Sequence, residues 1–239
     1  MTVGGRFLAA VRGGDLAFAP LVWERLPALV HQERQGWWRD AAPAQRLIAD
    51  AAALALADAM FVFAAAEAVR DAVSDGVSGD DALDSLAETE AAARGFELVQ
   101  CLHDVAAHAT IAAVPTPAQM LADLVGEEIE AAEDAFSDLA SCYLRCGADA
   151  LAVTGRTPEE VRAGVTRAAD LAKLYDRPVL GIRLGDSDAS GWDQDGTPLG
   201  VISDSGDWPA GASGVVITPG DVSGRWGTDQ LRAVGSSRP

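Results

Sequence analysis

Short apolar runs alternate along the chain with longer segments of helical periodicity. Continuous apolar runs bounded by turn residues are typical of strands that are buried on both faces. Strand and helix patterns alternate through the first three quarters of the sequence, which predicts an α/β protein with parallel strands. The seven predicted strands are Pro20–Trp23, Ala59–Ala64, Glu97–Leu102, Asp149–Thr154, Pro178–Leu184, Leu199–Ser203 and Gly214–Thr218.

Local signals mark the ends of several predicted helices. Thr116-Pro117 and Thr157-Pro158 each place an N-cap threonine before a proline in the first turn, and Gly95 and Gly147 are expected to end helices. The predicted helices are Leu26–Gln32, Ala44–Ala57, Ala65–Val73, Asp81–Ala93, a long helix from Thr116 to about Arg145, one from Thr157 to about Tyr175, and Thr228–Val234.

The last quarter of the chain has almost no predicted helix. The polar stretch Gly185–Gly196 and the turn-rich loop Asp204–Ser213 are both too short for a full crossover helix between parallel strands. Several apolar side chains of the last three strands would then lack cover from the same chain. We expect this face to pack against a second copy or another barrel-containing protein. The side chains concerned are Val179, Ile182, Leu199, Val201, Val215 and Ile217.

Composition and charge narrow the class of protein. The 239 residues are 49% hydrophobic, which suits a single domain over residues 1–239. The net charge of −18 argues against nucleic acid and anionic membranes as partners. The apolar stretch Ala51–Val69 is interrupted by Asp58 and Glu67, so no membrane span is expected. The start Met1–Ala10 lacks a secretory pattern and there are only three cysteines, which predicts a cytoplasmic protein.

Several segments, taken in order, resemble the uroporphyrinogen decarboxylase family. They match its opening helix and first strand, a Gly-Ala-Asp turn that leads into a central strand, the strand after it, and the final strand and helix. The chain is similar to a shortened and divergent member of the uroporphyrinogen decarboxylase and cobamide methyltransferase superfamily. The segments are Arg6–Gly14, Phe18–Trp23, Glu97–Pro115, Gly147–Leu151, Arg177–Leu180, Val216–Gly220 and Thr228–Ala233.

The resemblance implies a TIM-type (β/α) barrel. Because the chain is short between Leu184 and Gly214, we expect the barrel to be incomplete in its C-terminal half. Active sites of such barrels lie at the C-terminal ends of the strands. The superfamily carries out either decarboxylation of porphyrinogen carboxylates without a cofactor or zinc-dependent methyl transfer.

Each of the two chemistries has a residue pattern. The decarboxylases place arginines after the first strand, where Arg25 lies, and an Asp after the second strand to bind pyrrole N–H groups, where Glu67 is the nearest acid. The methyltransferases need His-x-Cys after the fifth strand and a later cysteine. This chain has Gly181-Ile182-Arg183 there and no cysteine after Cys146, so we expect neither zinc nor another cofactor.

The most chemically capable segment is Cys101-Leu102-His103-Asp104. Alternation along a strand would place Cys101 and His103 on the same side. His103 is expected to move a proton beside Asp104, the alternative being a loop histidine hydrogen-bonded to that aspartate. The predicted catalytic residues are therefore His103 and Asp104, and the predicted substrate-binding residues are Arg25, Glu67, Arg156, Arg183 and Asp204.

Three of the candidate groups have structural alternatives. Arg183 either binds a substrate carboxylate or forms an ion pair with Asp186 or Asp204. Asp204 and Asp207 are either a carboxylate pair for metal or acid–base chemistry or part of an ordinary turn. The three cysteines, Cys101, Cys142 and Cys146, either form a soft metal site or are small core residues, the interpretation we favour.

The resemblance implies a decarboxylase, which is a carbon–carbon lyase, or a methyltransferase-superfamily enzyme. Its site at the barrel mouth would bind a small anionic metabolite, which the arginines would hold. The alternative is a non-catalytic accessory or binding subunit derived from that family. The missing catalytic patterns and the missing part of the barrel favour this alternative.

Overall fold

A computed structural model describes residues 3–14, 16–23, 26–29, 36–105, 108–185, 188–203, 205–211, 213–218 and 228–239. The helices are α1 (Val3–Val11), α2 (Leu26–Leu29), α3 (Ala41–Ala55), α4 (Ala64–Ser74), α5 (Asp80–Ser85), α6 (Glu90–Val105), α7 (Pro117–Asp123), α8 (Ile129–Arg145), α9 (Pro158–Lys173) and α10 (Thr228–Ser236). The strands are β1 (Ala17–Ala19), β2 (Ala59–Val62), β3 (Ala109–Pro115), β4 (Ala150–Gly155), β5 (Val179–Leu184), β6 (Ala189–Asp193), β7 (Gly200–Val201) and β8 (Val215–Ile217).

The described strands form two sheets. The larger sheet has the order β2-β3-β4-β5-β6, in which the first four strands are parallel and β6 runs antiparallel to β5. The smaller sheet has the order β1-β8-β7, and its strands are all parallel. Helices connect the parallel strands of the larger sheet, so the predicted α/β class is confirmed.

The two sheets adjoin at both edges. The backbone N–H of Asp58, just before β2, donates to the carbonyl oxygen of Phe18 in β1 at 2.9 Å. The N–H of Leu199, just before β7, donates to the carbonyl oxygen of Gly191 in β6 at 2.8 Å. No continuous ladder of the described residues joins β1 to β2 or β6 to β7, so these strands do not form one closed hydrogen-bonded barrel.

Apolar side chains form two layers, one on each face of the strands. The inner layer is rich in alanine, whose small side chain lets strands from both sheets surround one apolar cluster, and Phe7 and Ala10 of α1 pack into it. The outer layer fills the space between the strands and the helices. The inner-layer strand residues are Ala17, Ala19, Ala59, Phe61, Ala109, Ile111, Ala113, Ala150, Ala152, Leu180, Ile182, Ala189, Val215 and Ile217.

The predicted strand Glu97–Leu102 is wrong, because this segment belongs to α6. Leu98, Val99 and Leu102 are buried at a helical spacing. Gly95 does not end the helix: a Cβ there would lie 2.6 Å from the hydroxyl of Tyr143, so glycine permits the close approach of α8. The third strand is instead β3. Its sequence is rich in alanine, which has low β-propensity, so the pattern does not indicate a strand.

Two further boundaries differ from the sequence-based expectations. Residues 185–196 were expected to form a loop, but they contain β6, which pairs with β5 as a hairpin and therefore needs no crossover helix. The long helix from Thr116 to Arg145 is divided into α7 and α8. Val125 interrupts it with a φ of 55°, a left-handed conformation that a helix cannot continue.

The expected bare face in the last quarter is also wrong. Val179, Ile182, Val215 and Ile217 are buried, and Leu199 and Val201 are half-buried. The loop after β7 provides part of the cover: a Cβ at Gly200 would lie 3.2 Å from the ring of Pro209. A bare apolar face was the reason to expect a second copy or a barrel-containing partner, and the burial of these side chains removes that reason.

The helices of the described part of the chain were also compared with the length and apolarity that a membrane span requires. None of them is long and apolar enough to cross a membrane.

Asp58 is buried and joins four parts of the fold. Its Oδ2 accepts the N–H of Phe18 at 2.9 Å and lies 2.7 Å from a guanidinium nitrogen of Arg238, after α10. Its carbonyl oxygen accepts the N–H of Ala109 at 2.9 Å. β1, β2, β3 and the segment after α10 therefore meet at one residue.

We expect Asp58→Ala to lower the free energy of unfolding by about 3 kcal/mol, because it leaves the buried N–H of Phe18 without an acceptor and Arg238 without a carboxylate. Chemical denaturation followed by circular dichroism measures this. The matched control is Asp50→Ala on the exposed side of α3, which should change the free energy by less than about 0.5 kcal/mol. Equal losses in the two variants would contradict the role of Asp58.

Candidate functional site

Aromatic side chains lie together where β1 and β2 end. The ring centroid of Trp23 is 4.6 Å from that of Trp37 and 6.4 Å from that of Phe63, and Phe63 lies 6.0 Å from Phe61. Trp23 is buried, whereas Phe63 is half-buried and contacts both apolar layers. The C-terminal ends of the first two strands thus present an aromatic surface that is partly open.

Glu67 lies in the first turn of α4, directly beyond this surface. Its carboxylate accepts the indole N–H of Trp23 at 3.3 Å and a guanidinium N–H of Arg70 at 3.0 Å. The N-terminal turn of a helix also favours a negative charge. The Glu67 side chain is only 18% exposed, whereas that of Arg70 is 57% exposed. The structure therefore places Glu67 where the sequence predicted it, with its carboxylate already engaged.

Arg156 follows β4 and opens the turn into α9. Its backbone N–H donates to the carboxylate of Glu160, and the side chain of Thr157 completes a capping box with the same glutamate. The Arg156 side chain is 74% exposed and lies 3.7 Å from a carboxylate oxygen of Asp123. The capping box fixes the backbone, and the guanidinium remains available to solvent.

Arg183 is near the end of β5 but on its outer face. Leu180 and Ile182 belong to the inner layer, so alternation places Gly181 and Arg183 on the other side. Arg183 donates to the hydroxyl of Ser190 at 3.0 Å and to the carboxylate of Asp188 at 2.5 Å, and its side chain is 23% exposed. Of the two alternatives for Arg183, the structure therefore shows an ion pair, with Asp188 as its partner.

His103 and Asp104 lie at the opposite end of the strands. Both are exposed residues in the last turns of α6, which precedes β3, and the His103 ring packs against Gly147 just before β4. Cys101 and His103 were expected on the same side of a strand. They lie on a helix instead, where residues two apart face different directions. The structure thus removes the positional argument for His103 and Asp104 as catalytic residues of a site at the strand C-termini.

Arg25, Asp186 and Asp204 lie outside the described residues. Asp207, the other half of the predicted carboxylate pair, accepts a hydrogen bond from the hydroxyl of Ser205 at 2.5 Å. This contact is typical of a polar turn.

The cysteines are dispersed on two helices. Burial is the largest cause that raises the pKa of both Cys101 and Cys146, which favours their thiol forms. The Cys142 sulfur is 2.9 Å from a guanidinium nitrogen of Arg145. Within the described ranges, no group of three or more His, Cys, Asp and Glu side chains is placed to hold a metal ion.

Sequence reasoning did not find the aromatic surface or the partners of Glu67. Trp23 and Phe63 were both predicted to lie in strands. Their contact depends on β1 lying beside β2 in the folded protein. Arg70 carried a usable signal, because Glu67 and Arg70 are three residues apart on a helix and therefore neighbours.

The chain was also compared with known proteins. No family model matches it, and a search of curated proteins gave no match.

His108, just before β3, is buried at the end of the strands opposite Glu67. Burial lowers the pKa of its imidazole, and the carboxylate of Asp149 opposes this effect. Its Nε2 has no hydrogen-bond partner among the described residues. Because the pKa is lower in the folded than in the unfolded protein, the neutral imidazole contributes stability at neutral pH that is lost as the pH falls through the folded value.

We expect the free energy of unfolding to fall between pH 7 and pH 5, and the His108→Gln variant to lose part of this dependence. Urea denaturation at a series of pH values measures it. His103→Gln changes an exposed imidazole and is the matched control, which should keep the dependence of the original protein. Parallel stability curves for the original protein and His108→Gln would show that His108 does not contribute.

Proposed function

We propose that the chain forms a TIM-type barrel related to the uroporphyrinogen decarboxylase and cobamide methyltransferase superfamily. Two observations support this proposal: the strands of both sheets share one inner apolar layer, and the sheets adjoin at both edges. We further propose a cytoplasmic, single-domain protein that binds a small anionic metabolite at the strand C-termini. Its role is that of a binding or accessory protein rather than a decarboxylase or methyltransferase.

The exposed guanidinium of Arg156 carries the proposal of an anionic ligand. β2 and β4 lie on either side of β3, so their C-terminal ends are separated by two strand spacings, about 10 Å. The half-buried ring of Phe63 follows β2, and the largely solvated Arg156 follows β4. A small carboxylate bound between these two groups would place a carboxylate on the guanidinium and its methylene groups against the ring.

The hydrogen bond between Trp23 and Glu67 supports a binding role over decarboxylation. The family resemblance assigns the acid after the second strand to the pyrrole N–H groups of the substrate. In this chain Glu67 accepts the N–H of the chain's own indole at 3.3 Å and also pairs with Arg70. A substrate would have to displace both partners from a carboxylate that is mostly buried.

We expect succinate to bind with higher affinity than neutral succinamide, and Arg156→Ala to weaken succinate binding about tenfold, the usual effect of losing a charge-assisted hydrogen bond. Isothermal titration calorimetry and thermal shifts measure this, since a ligand of the native state raises the melting temperature. Arg94→Ala is the matched control, because it removes an exposed arginine of α6 that pairs with Glu90 and Glu97 on the same helix.

Equal affinity for the two ligands, or an unchanged affinity in Arg156→Ala, would contradict the proposed site. Decarboxylation is the second candidate function, because Glu67 accepts the N–H of a pyrrole-type ring in this structure. Trp23→Phe removes one partner of that acceptor and keeps an aromatic ring. Release of CO₂ from a porphyrinogen carboxylate by the original chain, and faster release by Trp23→Phe, would favour the second candidate over the first.

A further inference from the structure

A second candidate binding site lies at the opposite, N-terminal end of the strands. A cleft of about 470 Å³ opens there between α1, α3 and the segment after α10. Its lining contains an apolar wall of four alanines, Leu56 and Gly235, together with four charged or polar residues. Apolar walls with a few polar groups are typical of sites for small organic molecules. The lining also includes Arg6, Asp58, His108 and Arg238.

Arg6 supplies an available positive charge. It is an exposed residue of α1, and no other described residue forms a hydrogen bond or ion pair with it. The second cation, Arg238, donates to the carbonyl oxygen of Leu56 at 3.2 Å and pairs with Asp58 at 2.7 Å. Arg238 therefore neutralises the buried carboxylate, and Arg6 is left as the cation for a ligand.

The buried imidazole of His108 adds a polar group to the same wall. The residue is 6% exposed, and its Nε2 has no hydrogen-bond partner among the described residues. A neutral imidazole has one N–H donor, which suits a carboxylate acceptor. Most buried polar atoms in proteins have a partner. Nε2 is covered from solvent although His108 lines the cleft, so a ligand there would bond to it after a small turn of the ring.

Leu56 contributes an exposed apolar side chain in an unusual backbone conformation. It follows α3 with φ 52° and ψ 38°, a left-handed geometry in which glycine is normally favoured, and it is 48% exposed. The left-handed conformation ends α3, where the N–H of Ala57 donates to the carbonyl oxygen of Ala52 at 2.9 Å, and a glycine would serve the same purpose. An exposed leucine at this position has a reason if its side chain contacts an apolar part of a ligand.

We propose that this cleft binds a small aliphatic carboxylate, with its carboxylate between Arg6 and His108 and its chain against Leu56 and the alanine wall. A guanidinium and a neutral N–H donor recognise a carboxylate, and the alanine wall accepts an unbranched chain. The cleft lies at the other end of the strands from Arg156. This inference therefore does not depend on the proposed function.

Hexanoate is a suitable probe, with hexanamide as its neutral counterpart. We expect a ligand of this size to bind with a Kd on the order of 1 mM. Hexanoate is titrated into the full chain while the ring-proton signals of His108 are followed by NMR. His108→Gln assigns these signals by their absence, and through-bond correlation to the backbone assigns them if that variant does not fold.

We expect saturable shifts of the His108 signals with hexanoate and at least tenfold weaker binding of hexanamide. Arg6→Ala should weaken hexanoate binding about tenfold, because it removes a charge-assisted hydrogen bond to the ligand without breaking a hydrogen bond or ion pair to another described residue. Arg94→Ala removes an equal charge on α6, outside the lining of the cleft, and should leave the affinity unchanged. Leu56→Gly should weaken binding about fivefold while the melting temperature stays the same or rises.

Three results would overturn the proposal. The first is the absence of a saturable His108 shift at about 10 mM hexanoate, tenfold above the expected Kd. The second is equal binding of hexanamide, which would show that no anion is recognised. The third is a loss of affinity in Arg156→Ala with no loss in Arg6→Ala, which would assign hexanoate to the strand C-termini instead.

Discussion

The buried carboxylate of Asp58 determines how the two sheets are placed relative to each other. It accepts the N–H of Phe18 in β1 and pairs with Arg238, while the backbone of Asp58 bonds to β1 and β3. A buried charge is tolerated only when its hydrogen bonds and its ion pair are satisfied. This requirement holds β1 and the segment after α10 beside Asp58. The aromatic surface at the far ends of β1 and β2 depends on the same alignment.

A second aspartate, Asp149, makes a similar set of contacts at the start of another strand. Asp149 precedes β4, its carboxylate accepts the N–H of Thr110 at 3.0 Å, and its own N–H donates to the carbonyl oxygen of Thr110 at 2.8 Å. An arginine, Arg177, pairs with it at 3.3 Å, as Arg238 pairs with Asp58. In both places the aspartate stands between two alanines, and the alanine after it enters the inner layer. The triplet alone does not signal a strand, because Ala49-Asp50-Ala51 lies within α3; the shared feature is an aspartate directly before an inner-layer alanine at the start of a strand.

The sequence predicted the elements whose signals are local. β2, β4, β5 and α9 follow from continuous apolar runs and from the Thr-Pro-Glu-Glu opening of a helix. The sequence did not predict β3, because its alanines fit the narrow interior but have low β-propensity. As a result, His103 was predicted at the wrong end of the strands. The position of Glu67 was predicted, because it follows a strand that was recognised. The orientation of Arg183 was not, because a strand that is apolar on both faces does not reveal which face is the inner one.

The pairing of β1 has a consequence for synthesis on the ribosome. Its ladder partner is β8, and the N–H of Leu21 after β1 bonds to the hydroxyl of Thr218 at 3.0 Å, across 197 residues of sequence. At about 5–20 residues per second, a nascent chain therefore carries its first strand for roughly 10–40 s before the partner is translated. During that time the edge of β1 and its apolar face are open to other chains. The first strand can therefore pair only after β8 has been translated, and a chaperone that holds the N-terminal segment until then would protect it from aggregation.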